Sequence, residues 1–286
     1  MRRLATAAAA AAFLASLTTA AGAASLTDAR GRAVDVSDRS RVVSIGGTVT
    51  EILYALGVDD AIVAVDTTSL HPPEALKDHP NVGYMRALSA EGVLSTNPTL
   101  ILASEGAGPP EVADLLAASS VPVVFVDDTA SHDAVTERIR FVAEAMGVPE
   151  RGEALVKTVE ENFSKLDAAR AGVKTPAKVL FVLSVRDGHP LVAGGGTPAD
   201  AIIGLAGATN IAGGFEGYKA MGDEAIIEAQ PDVVVVMANG NHQPDAGFLD
   251  APAFAATPAG KNKRLVAMDG LSLLGFGPRT PEVALE

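Results

Sequence analysis

Short runs of apolar residues alternate with amphipathic stretches along most of this chain. Four runs in the first half are only a few residues long and are bounded by turn-forming residues, which is typical of buried strands. They lie at residues 42–45, 60–65, 100–103 and 123–126. A helical stretch at 51–56 follows the first run and ends at Gly57. Strands that alternate with helices predict a parallel sheet that is covered by helices on both faces.

The pattern changes between residues 133 and 171, where strand-like runs are almost absent. Apolar residues recur there at helical spacing, before and after Pro149, and predict a long helical crossover. The two stripes are Ala134, Val135, Ile139, Val142 and Ala143, then Leu155, Val156, Val159, Phe163 and Leu166. After Pro176 the alternation resumes, with a helix at 199–205 and another that starts at Pro281. The predicted strands of this part are 179–183, 233–236 and 265–267.

The second half of the chain repeats the first. Residues 91–102 align without gaps on residues 224–235, and both segments read as a helix, a turn with proline and a buried strand. Two weaker matches pair 83–88 with 217–221 and 47–51 with 196–200. The repeat therefore predicts two similar lobes, and the cleft between two lobes is a favoured position for a ligand.

These patterns predict an α/β protein of two similar lobes with parallel central sheets, joined by a long α-helix. The first lobe is placed at 24–132, the connecting helical segment at 133–175 and the second lobe at 176–286. Residues 1–23 are excluded from the fold, because an arginine pair, an alanine-rich apolar run and small residues at a cleavage site are typical of a secretory signal peptide.

The amino-acid composition narrows the range of possible binding partners. The chain has no cysteine, which excludes disulfides, thiolate metal sites, a thiol nucleophile and a lipid-modified cysteine. The formal net charge is −13, and −13 − 2 = −15 without the two arginines of the signal peptide, which argues against nucleic acid and anionic membranes as partners. No segment of the mature chain approaches roughly 18 consecutive apolar residues, so we expect a soluble, monomeric, unanchored protein of the Gram-negative periplasm.

The sequence gives little evidence for catalysis. None of the five histidines falls at the spacing of a helical zinc pair, and the chain has neither a G-x-S-x-G motif nor a P-loop lysine. The glycine run at 194–196 leads into a helix, where it forms either a tight turn or a site for an anionic group. An enzyme acting in the cleft is therefore the less favoured alternative.

The segment from Gly83 to Gly92 is the most informative one. Tyr84 follows a glycine in a predicted loop, and Arg86 lies two residues later, in a chain with only three tyrosines and no tryptophan. A phenolate is a ligand for ferric iron, and a nearby guanidinium stabilises its negative charge. The alternative is an amphipathic tyrosine on the surface.

Two glutamates occupy equivalent positions in the repeat. Glu91 and Glu224 each begin a predicted helix, where the exposed amides and the helix dipole favour a carboxylate. That preference explains each glutamate separately. A second interpretation is that one exposed acid on each lobe docks on basic residues of a partner with two-fold symmetry.

The two lobes, the connecting helix, the signal peptide and the paired glutamates together resemble the substrate-binding proteins of ABC importers for siderophores, vitamin B12 and haem. Residues 41–57 are similar to the first strand and helix of that family, and 83–92 are similar to its periplasmic haem-binding branch. The resemblance implies that Tyr84 is the axial ligand of ferric haem and that Arg86 is its electrostatic partner. It also implies that Glu91 and Glu224 dock on the permease.

Two further segments, 193–200 and 214–218, resemble the haem-binding branch and imply that Gly195, Thr197 and Tyr218 bind the ligand. Some relatives supply a histidine just after the strand that ends here near Ser184. This chain has Arg186 there, which would meet a haem propionate, and a displaced His189, which is either a second iron ligand or a solvated loop residue.

The predicted function is capture of ferric haem in the interlobe cleft and its delivery to an inner-membrane ABC permease. The alternative within the same fold is a ferric siderophore or a corrinoid as the ligand. The long connecting helix is expected to limit hinge motion between the lobes.

Overall fold

The computed structural model describes residues 24–186, 189–238 and 246–286. The predicted signal peptide lies outside these residues. The described chain forms two α/β lobes and a helical connection, so the predicted fold class is confirmed. No helix of the described residues combines the length and the apolar character that crossing a membrane would require.

A four-stranded parallel sheet forms the centre of the first lobe, with the strand order β4-β3-β5-β6. Its strands are β3 (Val42–Ile45), β4 (Ile62–Val65), β5 (Leu100–Ser104) and β6 (Val123–Val126). A two-stranded antiparallel hairpin, β1 (Ala24–Thr27) and β2 (Ala33–Val36), precedes the sheet. The helices of this lobe are α1 (Gly47–Ala55), α2 (Glu74–Asp78), α3 (Ala90–Leu94) and α4 (Pro110–Ala117).

All four predicted strands of the first lobe are present, because each is a short apolar run that is buried on both faces. Helix α1 begins four residues earlier than predicted. Its first amide, that of Gly47, donates to the hydroxyl of Thr68 at 2.9 Å. That tertiary contact lies between distant residues, so the pattern of local sequence does not reveal it.

Two consecutive helices form the connection, α5 (His132–Ala145) and α6 (Pro149–Ala171). The predicted stripes are the buried faces: Val135, Ile139 and Val142 of α5 are fully buried, and Phe163 and Leu166 of α6 nearly so. Both helices contribute to one core cluster with α1 and with the strands of the first lobe. Helix α6, with 23 residues, is the long helix that the sequence predicts.

A mixed six-stranded sheet forms the second lobe, with the path β10-β8-β7-β11-β12 and with β9 beside β7. The strands are β7 (Lys178–Arg186), β8 (His189–Ala193), β9 (Thr209–Asn210), β10 (Tyr218–Ala220), β11 (Val233–Ala238) and β12 (Leu265–Asp269). The predicted strands β7, β11 and β12 are parallel, and the short strand β9, which was not predicted, is parallel to β7. Strand β8, which the sequence analysis did not predict, is antiparallel to β7 because the two are consecutive arms of a hairpin, and it is antiparallel to β10 as well, so the sheet is mixed rather than purely parallel.

The helices of the second lobe are α7 (Pro198–Leu205), α8 (Asp223–Ala229), α9 (Pro252–Ala255), α10 (Pro258–Asn262), α11 (Gly270–Leu274) and α12 (Thr280–Leu285). The predicted helix at Pro281 is α12. Its neighbourhood includes Phe276 and Ala284, which are buried in the same core cluster as α1, α5 and α6. The chain therefore returns to the first lobe after it has completed the second sheet.

Backbone conformation supports the internal repeat. Asn97 and Gln230 occupy equivalent positions in the aligned segments, and both adopt the left-handed conformation, with φ values of 52° and 49°. Few residues other than glycine adopt this conformation. Val93 and Ile226, also equivalent, are both fully buried. The helix, the turn and the strand of each lobe thus share one structural pattern.

Candidate ligand-binding site

A cavity of about 970 Å³ lies between the two lobes. Ligand pockets generally measure about 300–1,000 Å³, so this one is large enough for a ligand of cofactor size. Its first-lobe wall consists of the loops that follow β3, β4, β5 and β6. Its second-lobe wall comes from the turn and the start of α7, from the end of β11 and from the α11 region: Gly196, Thr197, Pro198, Asp200, Ala201, Met237, Gly270, Leu271, Leu274 and Gly275. The carboxyl edge of a parallel sheet is a usual position for a ligand.

Backbone contacts on both sides hold the loop that carries Tyr84. The carbonyl oxygen of Gly83 accepts a hydrogen bond from the amide of Thr67 at 2.9 Å, and Gly83 adopts a φ of 99°, which favours glycine. The amide of Gly108 donates to the carbonyl oxygen of Met85 at 2.9 Å. The loop is therefore anchored to two neighbouring loops immediately before and after Tyr84.

Tyr84 and Arg86 both line the cavity, as the sequence analysis predicted for a pair of ligand-binding residues. The side chain of Tyr84 is 48% exposed, and Arg86 is exposed as well. Within the described residues, Arg86 forms neither an ion pair nor a hydrogen bond with another side chain. Its positive charge is thus available to a ligand.

Tyr218 approaches the same region from the second lobe. It pairs with Ala193 at the edge of the sheet, beside the turn that leads into α7. Burial raises the pKa of the Tyr218 phenol, while the guanidinium of Arg86 and the hydroxyl of Thr197 act in the opposite direction. Arg86 is therefore close enough to Tyr218 to act on it electrostatically across the cleft.

The glycine-rich turn before α7 is packed against the loop at 215–217. The amides of Gly194 and Gly195 donate to the carbonyl oxygens of Gly217 and Phe215, each at 2.7 Å. Thr197 lines the cavity, is 5% exposed, and caps α7 by accepting from the amide of Asp200 at 3.1 Å. Gly195 does not line the cavity, so its place is behind the wall that Thr197 helps to form.

The two remaining second-lobe candidates lie at the end of the β7–β8 hairpin, where Arg186 and His189 face each other in register. The side chain of Arg186 lies outside the described part of the structure. His189 is exposed and does not line the cavity within the described residues. The structure thus brings together Tyr84, Arg86 and Thr197, with Tyr218 nearby, and does not bring His189 to them.

The sequence analysis missed Asp66, a fully buried carboxylate directly after β4. Asp66 accepts hydrogen bonds from the amides of Gly46 and Thr68 at 2.8 and 2.9 Å, and from the hydroxyl of Ser69 at 3.2 Å. It therefore ties together two loops of the cavity wall. An aspartate between a buried strand and a run of hydroxyl residues is the signal that could have identified it.

Arg138 was also missed. Its side chain is 1% exposed, lines the cavity and lies 3.6 Å from the carboxylate of Asp127. It donates to the carbonyl oxygens of Asp127, Thr129 and Phe276. Burial lowers the pKa of Arg138, but the neighbouring carboxylates oppose this shift, and an arginine remains a cation.

The docking candidates lie outside the cavity. Glu91 and Glu224 are exposed in the first turns of α3 and α8, one on each lobe. This position matches the expectation for residues that a partner could contact. Among the described residues, no group of three or more histidine, aspartate or glutamate side chains could hold a metal ion.

Fold and site together define a two-lobed ligand-binding protein whose lobes are joined by helices α5 and α6 and have a large cavity between them. The sequence profile of the family described as periplasmic binding protein matches residues 42–270. The chain belongs to this family.

Individual relatives extend the comparison. The structure of the periplasmic heme-binding protein RhuT from Roseiflexus sp. RS-1 superposes with a TM-score of 0.81 and 41% sequence identity, over 86% of this chain and 95% of RhuT. The ABC transporter substrate-binding lipoprotein YvrC of Bacillus subtilis (strain 168) is 30% identical over 197 residues, which are 68% of this chain and 62% of YvrC. The vitamin B12-binding protein of Yersinia pestis (strain Pestoides F) is 27% identical over 203 residues, 68% of each chain.

Proposed function

We propose that this protein captures ferric haem in its interlobe cavity and delivers it to an ABC permease of the inner membrane. The observation that carries the proposal is the exposed pair of Tyr84 and Arg86 on an anchored loop of the cavity wall. The similarity to RhuT, a heme-binding protein by name, supports haem as the ligand.

The chemistry of the site suits ferric iron. The phenolate of Tyr84 would bind the iron from the first lobe, and the guanidinium of Arg86 would favour the ionised form of the phenol. Apolar side chains of the cavity, among them Met237, Leu271 and Leu274, would contact the faces of the porphyrin. A single anionic protein ligand gives a stable site from which the haem can still be released.

The second lobe would complete the site with polar contacts. Thr197 lines the cavity and Tyr218 is close enough to feel the charge of Arg86, so both are assigned to the edge of the ligand. Arg186 as a partner of a propionate and His189 as a second iron ligand remain predictions from the resemblance. Gly195 would act through the backbone of the turn that carries Thr197.

The first test is an absorption titration of the mature protein with haemin. We expect saturable binding with a Soret band and a charge-transfer band of ferric haem bound to a phenolate. A ferric siderophore and cyanocobalamin, added as competitors, should not displace haemin at equal concentration. Tighter binding of either competitor would overturn haem as the cargo and leave the binding-protein class intact.

A corrinoid is the second candidate ligand. The relationship to the vitamin B12-binding protein of Yersinia pestis and the large volume of the cavity favour it. A corrinoid would use Arg86 and the tyrosines as polar and stacking contacts rather than as iron ligands. The same competition titration separates the two candidates. We propose no catalytic activity for the cleft.

Residues 1–23 would direct export to the periplasm, where the protein would act. There, Glu91 and Glu224 are proposed to dock on basic residues of the permease, one glutamate for each lobe. Their equivalent positions, exposure and negative charge support this role.

If Glu91 and Glu224 dock on the permease, their replacement should reduce haem transport without changing haem binding. Glu91→Lys and Glu224→Lys should leave haemin binding unchanged but reduce haem uptake into proteoliposomes that contain the permease, because the charge at the contact is reversed. Glu111→Lys is a matched control, since Glu111 is an exposed glutamate in the first turn of α4. Equal uptake by all three variants would contradict docking through Glu91 and Glu224.

A further inference from the structure

We propose that residues 275–286, which we call the strap, fix the width of the interlobe cavity by fastening the second lobe to helix α1. The strap follows β12 and α11, includes α12, and returns to the core of the first lobe. The inference concerns the relative position of the lobes and does not depend on which ligand the cavity binds.

The main contact is an ion pair between Glu51 of α1 and Arg279 of the strap. The carboxylate of Glu51 accepts from Nε and Nη2 of Arg279 at 3.1 and 3.0 Å, and from the Arg279 amide at 3.3 Å. Glu51 is only 5% exposed, so its charge is paired inside the protein rather than solvated. A buried carboxylate that loses its only cationic partner is strongly unfavourable, and the pair therefore resists separation.

Two hydrogen bonds flank this ion pair. The hydroxyl of Thr48 donates to the carbonyl oxygen of Gly275 at 2.7 Å. From helix α5, Nη1 of Arg138 donates to the carbonyl oxygen of Phe276 at 2.6 Å. The strap is thus bound within a few residues to α1 of the first lobe and to α5 of the connection.

Close packing makes the junction specific. A Cβ atom added at Gly277 would lie 3.2 Å from the carboxyl carbon of Glu51, and one at Gly275 would lie 2.8 Å from the hydroxyl of Thr48. A side chain at Gly275 would therefore collide with its neighbours, and one at Gly277 would press on the Glu51 carboxylate. Helix α1 and the strap are thus packed closely at the ion pair and at its neighbouring hydrogen bond.

The junction lies at the cavity itself. Thr48 and Gly275, which are hydrogen-bonded to each other, both line the cavity, as does Arg138. Helix α6 connects the lobes at one place, and the strap connects them at a second place. Two separate junctions restrict rotation about a hinge more than a single helix does, so the strap should keep the cavity at one width.

Distance measurements between spin labels test this inference directly. The chain has no cysteine, so Ser95→Cys and Glu228→Cys place one label on each lobe, at exposed and equivalent positions of the repeat. We expect a single narrow distance distribution in this background. Glu51→Ala and Arg279→Ala should each broaden it and add a population at longer distance.

The control variant is Glu153→Gln. Glu153 forms an ion pair of 2.8 Å with Arg140, but this pair is exposed and joins α5 to α6 rather than joining the lobes. Glu153→Gln should therefore leave the distribution of distances between the spin labels unchanged. If folded Glu51→Ala and Arg279→Ala also keep the narrow distribution, the strap does not set the width of the cavity.

Thr48→Val provides a second variant in case the charge variants fail to fold. It removes the hydrogen bond to Gly275 and keeps the shape of the side chain, so a smaller broadening is expected. An unchanged distribution in this folded variant would likewise contradict the inference. Because the labels are read without ligand, failure of haem binding would not affect the result.

Discussion

Tyr84→Phe is expected to remove the charge-transfer band of bound ferric haem and to weaken haemin binding by at least about 100-fold, or about 2.7 kcal/mol. The substitution keeps the ring, and with it the stacking against a porphyrin, but it removes the oxygen that would bind the iron. Loss of an outer-shell partner alone typically costs about 10- to 100-fold in metal affinity, so loss of the ligand itself should cost no less. An absorption titration with haemin measures both quantities.

Tyr54→Phe is the matched control for this prediction. The hydroxyl of Tyr54 interacts with Nε2 of His79 at 3.1 Å, and Tyr54 does not line the cavity. Loss of the Tyr54 hydroxyl should leave the absorption spectrum of bound haem and the affinity for haemin unchanged. If Tyr84→Phe keeps the charge-transfer band, the phenolate comes from another residue, and Tyr218 is then the tyrosine to replace next.

The local pattern of the sequence was enough to predict the four parallel strands of the first lobe. Each of these strands is a short apolar run between turns, and burial on both faces removes the alternation that would otherwise obscure it. The repeat could be recognised for a related reason. Equivalent residues such as Asn97 and Gln230 hold the same unusual turn in both lobes, because the helix, turn and strand around them are similar.

Contacts between residues that are distant in the chain could not be predicted. Glu51 and Arg279 are 228 positions apart, and neither residue alone indicates a partner. Strand β10 pairs three exposed residues with β8, so it has no apolar pattern to reveal it. The only local signal for such contacts was a charge on an apolar face. Arg138 lies three residues after Val135 and four before Val142, within the buried stripe of α5.

Arg138→Met is expected to destabilise the protein by about 3 kcal/mol or more. The substitution would remove the donor from the buried carbonyl oxygen of Phe276 and from the carbonyl oxygens of Asp127 and Thr129, and acceptors left unsatisfied near a buried site are costly. The ion pair with Asp127 adds little, because that carboxylate is half-exposed. Phe276 also adopts a left-handed φ of 51°, which is unfavourable for a large side chain unless its surroundings hold it. Urea unfolding, followed by circular dichroism, should show a midpoint lower by roughly 1 M.

Arg140→Met is the matched control. It distinguishes the effect of losing the buried contacts of Arg138 from the effect of losing an arginine elsewhere in the same helix. Arg140 lies two residues away in α5, and its ion pair with Glu153 is exposed, so the expected cost is below about 0.5 kcal/mol. A similar midpoint for both variants would mean that the buried guanidinium of Arg138 adds nothing to the junction between the lobes. A lower midpoint for Arg138→Met alone would instead identify that guanidinium as the group that holds the loop of Asp127 and Thr129 and the strap together beneath the cavity.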